Sequence, residues 1–69
     1  MQEIENIEYQ KKLILYIVNG YTAKEIAAEI GGGVNKKSIE YNLDILKKRY
    51  MAKNLYVLVG IFFRRKLIK

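Results

Sequence analysis

Cysteine and histidine are both missing from the 69 residues. Disulfide staples, Cys/His zinc sites and Cys or His nucleophiles are thereby excluded. Proline is missing too, and glycine occurs only at positions 20, 31, 32, 33 and 60. The first four of these glycines cut the chain into helix-sized pieces. Long apolar runs are also lacking: the longest, Leu55–Phe63, has nine residues, against the roughly 20 needed to cross a bilayer as a helix. The opening residues MQEIENIE are polar and acidic, the opposite of a secretory leader, so a cytoplasmic location is expected. With neither metal nor disulfide to help, a domain this small must rely on helix packing or self-association.

What is present is charge, unevenly spread. The net charge is +6. Residues 1–30 hold three lysines against five glutamates, a balance of −2, whereas residues 31–69 hold ten Lys/Arg against Glu40 and Asp44, a balance of +8. A basic half joined to an acidic half points to a polyanionic partner on one side of the fold.

Four pieces read as helices, at about residues 6–19, 22–31, 35–51 and 54–66. In the first, Ile7, Leu13, Ile14, Ile17 and Val18, with Tyr9 and Tyr16, form a stripe that fits a helix better than alternation. Asn6 is its expected cap and Gly20 its stop. The second opens with Thr22 and Glu25, a capping-box pattern, and places Ala23, Ile26, Ala27 and Ile30 on one face. Gly31-Gly32-Gly33 reads as a turn, since the preceding strand and Lys-Ser/Thr ending of a phosphate-binding loop are absent. In the third piece Ile39, Leu43, Leu46 and Tyr50 recur at i, i+4, i+7 and i+11, and Asn35 is positioned to cap it. The fourth, capped by Asn54, is apolar nearly all round. A strand is the alternative there, because LYVLVGIFF is rich in β-formers. That much apolar surface on a small domain calls for a partner.

Across these pieces the chain resembles the helix-turn-helix DNA-binding domain of the LuxR/GerE transcription regulators. Gly20-Tyr21-Thr22-Ala23-Lys24-Glu25-Ile26-Ala27-Ala28-Glu29-Ile30-Gly31 is similar to that family's G-x-S/T-x-K-E-I-A-x-x-L-G. Ser38-Ile39 corresponds to its T-V. The pattern V-x-x-H-x-x-x-I-x-x-K-L is met by Ile39, Asn42, Leu46, Arg49 and Tyr50, and Met51-Ala52-Lys53-Asn54 falls where the family has G-V-x-N. The match spans roughly residues 6 to 60.

The resemblance implies an all-α, four-helix domain with the third helix in the major groove of double-stranded DNA, acting in the cytoplasm on the nucleoid. It implies that Lys24 meets a phosphate, that Asn35, Lys36, Lys37 and Ser38 lie at the entry of the recognition helix, that Glu40, Tyr41 and Asp44 face base edges, and that Lys47 and Lys48 meet the DNA backbone. It also implies a homodimer through the fourth helix, with Leu55, Leu58, Val59, Phe62 and Phe63 at the interface. Three departures stand out. The turn is two residues longer than the family pattern, Glu40 and Asp44 replace Lys or neutral residues, and Leu55 replaces an Arg. The two carboxylates motivate an alternative, a helix-turn-helix-derived interaction module that has lost DNA binding and pairs with another regulator. Neither a cofactor, a metal nor a small-molecule substrate is expected. An enzyme is not expected either: Ser38 and Thr22 have no histidine to activate them, and Glu40 and Asp44 lie on a convex face.

Overall fold

The computed structural model describes residues 3–68, with the side chain of Glu3 excepted. It contains a short 3-10 turn, Glu3–Glu5, followed by α1 (Ile7–Val18), α2 (Ala23–Ile30), α3 (Lys36–Arg49) and α4 (Leu55–Arg64). The described residues are all-helical, and Leu55–Phe63, for which a strand was the alternative, is part of α4.

Each helix starts where a side-chain oxygen can take up orphan backbone N–H groups. Asn6 Oδ1 accepts from the Glu8 amide at 2.8 Å. Thr22 and Glu25 form the reciprocal capping box, at 2.8 and 3.2 Å. Asn35 Oδ1 accepts from the Ser38 amide at 2.9 Å, and Asn54 Oδ1 from the Val57 amide at 2.9 Å. All four caps are the ones the sequence indicated.

Three helix ends share one device, a residue of positive φ whose neighbour's amide reaches back to close the last turn. Tyr21 N donates to Tyr16 O at 3.0 Å past Gly20, Ala52 N to Lys47 O at 2.7 Å past Met51, and Leu67 N to Phe62 O at 2.9 Å past Lys66. Only the first of these stops is a glycine. This corrects the expected ends of α3 and α4: α3 stops at Arg49 rather than Met51, and α4 at Arg64 rather than Lys66, because Met51 (φ 57°) and Lys66 (φ 59°) have already left the helix. In the turn between α2 and α3, Gly31, Gly32 and Gly33 all take positive φ, a run that L side chains would strain.

The core draws on every element. Leu13 and Ile14 come from α1, Ile26 and Ala27 from α2, Ile39, Leu43 and Leu46 from α3, and Leu58 and Phe62 from α4. Two residues beyond the expected helices complete it: Ile4 in the first turn and Ile68 after α4, both buried. The stripes expected on α2 and α3 face inward. On α1 the outcome differs: Leu13 and Ile14 are buried and Ile17 half-buried, whereas Ile7 and Val18 are exposed. Their inner position is taken instead by Gln10, 4% exposed. Gln10, Leu13, Ile14 and Ile17 form the inward i, i+3, i+4, i+7 set of α1.

Candidate nucleic-acid interface

Among the described residues the most extensive helix–helix packing is that of α2 with α3, joined by the glycine turn. Ile26 and Ala27 of α2 and Ile39, Leu43 and Leu46 of α3 are sealed in the shared core. That packing commits one face of α3 to the interior and leaves the opposite one to solvent. The two faces are related by simple geometry. Ile39, Leu43, Leu46 and Tyr50 line the inside; Lys37, Tyr41, Asp44 and Lys48 have the same spacing two positions earlier, about 200° around the helix. Tyr41 is 62% exposed, and Lys36, Lys37, Glu40 and Lys48 are exposed beside it, with Asp44 and Lys47 half-buried.

Electrostatics on this face are partly settled within the helix. Lys36 Nζ lies 3.9 Å from Glu40 Oε2, and Lys48 Nζ lies 3.2 Å from Asp44 Oδ2. Both pairs are exposed and one helical turn apart, each contributing a few tenths of a kcal/mol. Their larger effect is to place a cation over each carboxylate. Lys37 and Lys47 make no ion pair among the described residues, so the face keeps a positive surplus. Positive charge in the last turn, from Lys47, Lys48 and Arg49, also suits the negative end of the helix dipole.

The entry of α3 is more constrained than its sequence suggested. Asn35 Oδ1 accepts both the Ser38 amide and the Ser38 hydroxyl, the latter at 3.1 Å. These two side chains satisfy each other at the helix start, although both remain exposed. Lys24 is exposed in the first turn of α2, near the end of the helix that carries partial positive charge.

Sequence reasoning missed three polar ties on the inner flank of α3. Asn42 Nδ2 donates to Tyr9 Oη at 3.2 Å. Tyr50 Oη donates to Gln10 Oε1 at 2.8 Å. Arg49 grips Glu5 with both terminal nitrogens, at 3.0 and 2.8 Å. That fork-to-fork hydrogen bonding, reinforced by the opposite charge, holds the Glu5 carboxyl below its ordinary pKa and raises that of Arg49. The partners lie 33 to 44 residues apart, so no local pattern could pair them. Only Gln10 left a trace, as a polar residue in register with Leu13, Ile14 and Ile17.

The expected dimer surface on α4 needs correction. Leu58 and Phe62 are 0% exposed. They belong to the monomer's own core, with the Phe62 ring 5.1 Å from that of Tyr50, and no partner can reach them in this fold. Leu55 and Val59 are half-buried and Phe63 is exposed. The outward face of α4 is made by Tyr56, 91% exposed, with Val57 and Phe63. It continues across a shallow groove to Val18 and Tyr21 at the end of α1. Gly60 lies in the same helix, and a Cβ added there would meet only the Arg64 guanidinium at 3.5 Å.

Among the described residues no helix is long and apolar enough to cross a membrane, and no cluster of three or more acidic side chains is arranged to hold a metal ion. No protein-family model matches the chain, no curated protein matches it, and no solved structure matches it. The functional reading therefore rests on the residues and their geometry.

Proposed function

We propose that this chain is a helix-turn-helix domain of the LuxR/GerE kind that binds duplex DNA through α3 and acts as a homodimer through α4. The observation that carries the proposal is the outward face of α3. Lys37, Tyr41 and Lys48 lie exposed on a helix whose other face is sealed in the core with α2, with exposed Lys36 and half-buried Lys47 on the flank, and the chain itself leaves that outward face open. A helix of this diameter fits the major groove, with α2 braced behind it. Lys36, Lys37, Lys47 and Lys48 supply the phosphate contacts, with Lys24 at the start of α2. Tyr41 is placed for a thymine methyl, and Glu40 or Asp44 for a cytosine amino group. Asn35 and Ser38 serve first as the helix cap.

The homodimer is supported by the surplus apolar surface of Tyr56, Val57 and Phe63, which water disfavours. Gly60 adds to this: nothing inside the monomer requires a glycine there, and glycine within a helix costs up to about 1 kcal/mol relative to alanine. A second α4 crossing at Gly60 accounts for both features. The interface is then Tyr56, Val57 and Phe63 with the rims of Leu55 and Val59, without Leu58 or Phe62.

The test is selection of bound sequences from random duplex DNA, followed by a salt titration of the selected site. Affinity must fall with salt, by about one unit of log–log slope per phosphate neutralised. Binding that is absent or indifferent to salt removes the proposal. The rival reading, an interaction module without DNA binding, draws on Glu40 and Asp44. Replacing both by alanine separates the two: a cytosine-reading pair loses sequence preference, whereas a face silenced by its carboxylates gains affinity for any duplex.

A further inference from the structure

We infer that Gln10 and Glu5 are positioning residues for α3, fixing its rotation about its own axis and so the direction in which Lys37, Tyr41 and Asp44 point. The inference rests on the reading of α3 as the DNA-facing helix and adds what orients it. Apolar burial of Ile39, Leu43 and Leu46 decides which face of α3 turns inward, but an attraction that scales with buried area does not by itself fix the rotation to within a few degrees. Directional bonds come from elsewhere. Asn42, Arg49 and Tyr50 are tied to Tyr9, Glu5 and Gln10 respectively, all in the first turns of the chain. Residues 42 and 49 lie two turns apart on the same side of α3, so the ties act at two heights about 10 Å apart. Gln10 is the hub. Its Nε2 donates to Ile4 O at 2.7 Å while its Oε1 accepts from Tyr50, which joins the 3-10 turn to the end of α3 through one amide.

A buried amide is not the cheapest way to fill that space. Replacing a hydrogen-bonded pair by apolar groups of the same shape is often close to neutral in stability. What such a pair contributes is geometry. A roll of about 20° moves a side-chain tip some 6 Å from the helix axis by roughly 2 Å, which is enough to break a hydrogen bond to a base edge.

The experiment compares the wild type with Gln10→Met/Tyr50→Phe, which leaves the charge unchanged, and with the Glu5→Arg and Arg49→Glu reversals, singly and together. Two quantities are read: amide residual dipolar couplings, which report the orientation of α3 relative to α2, and the ratio of affinities for selected and unrelated duplexes. The expected result is a reorientation of α3 in Gln10→Met/Tyr50→Phe and in each single reversal, with the affinity ratio falling about tenfold. The double reversal is expected to return both towards the wild-type values. Unchanged couplings in the folded variants overturn the inference. So does a reorientation that leaves the ratio intact, or a ratio that falls only as the folded fraction falls. The exposed Glu5 and Arg49 variants keep the test open even if the buried pair does not fold. If the wild type binds no duplex, the DNA reading falls, and the couplings alone still decide whether these residues orient α3.

Discussion

Met51 holds a left-handed backbone, φ 57°, with 90% of its surface exposed. An L side chain resists that conformation and glycine does not. Met51→Gly is therefore expected to raise stability by about 1 kcal/mol, a rise of several degrees in the thermal midpoint for a domain of this size. A melting curve that is unchanged or lowered would show that the side chain has a stabilising contact. Glu5 supplies a pH prediction. Its folded pKa is depressed below the ordinary value of 4.5 by the Arg49 hydrogen bonds and then by charge attraction. The pair's contribution is thus fully present above pH 4.5 and is lost as the pH falls through the lower, folded value. The difference in urea midpoint between wild type and Glu5→Gln should be constant near neutrality and shrink on acidification below pH 4.5. A difference that grows in acid would contradict this assignment.

At the scale of helices, caps and packing faces carry separate consequences. Thr22→Ala removes the acceptor from the Glu25 amide in the α2 capping box and should cost about 1 kcal/mol, read as a drop in the denaturant midpoint at unchanged slope. Gly60→Ala should act in opposite directions on two measurements. The isolated helix gains up to about 1 kcal/mol from the better helix former, while the added methyl stands where a second α4 would cross. Sedimentation equilibrium should show weaker self-association, and high-dilution unfolding a more stable monomer. Self-association that is unaffected would move the proposed crossing point away from Gly60.

For the molecule as a whole, the +8 surplus belongs to residues 31–69, which include α3, and Lys37 is exposed there and makes no ion pair among the described residues. Lys37→Ala should weaken binding to all duplexes by a similar factor and reduce the salt slope by about one unit. A loss confined to one sequence would make Lys37 a base-reading residue instead.

Much of this architecture is local and could be read from the residues in order. Asn6, Thr22, Asn35 and Asn54 cap because a short polar side chain reaches amides only two or three residues ahead. The inward stripes of α2 and α3 follow from the helical repeat and the spacing of apolar residues. What required the folded chain is what joins distant positions. An all-round apolar α4 has no single face of its own, and its packing against the core chose Leu58 and Phe62 for the interior while leaving Tyr56 and Phe63 outside. Isolated Ile4 and Ile68 carry no periodicity, and they are buried only because the 3-10 turn before α1 and the segment after α4 pack onto the core. Glu5 meets Arg49, and Gln10 meets Tyr50, across some 40 residues. Hydrogen bonds act over about 3 Å of space whatever the separation along the chain, so those partnerships came into being only with the tertiary fold.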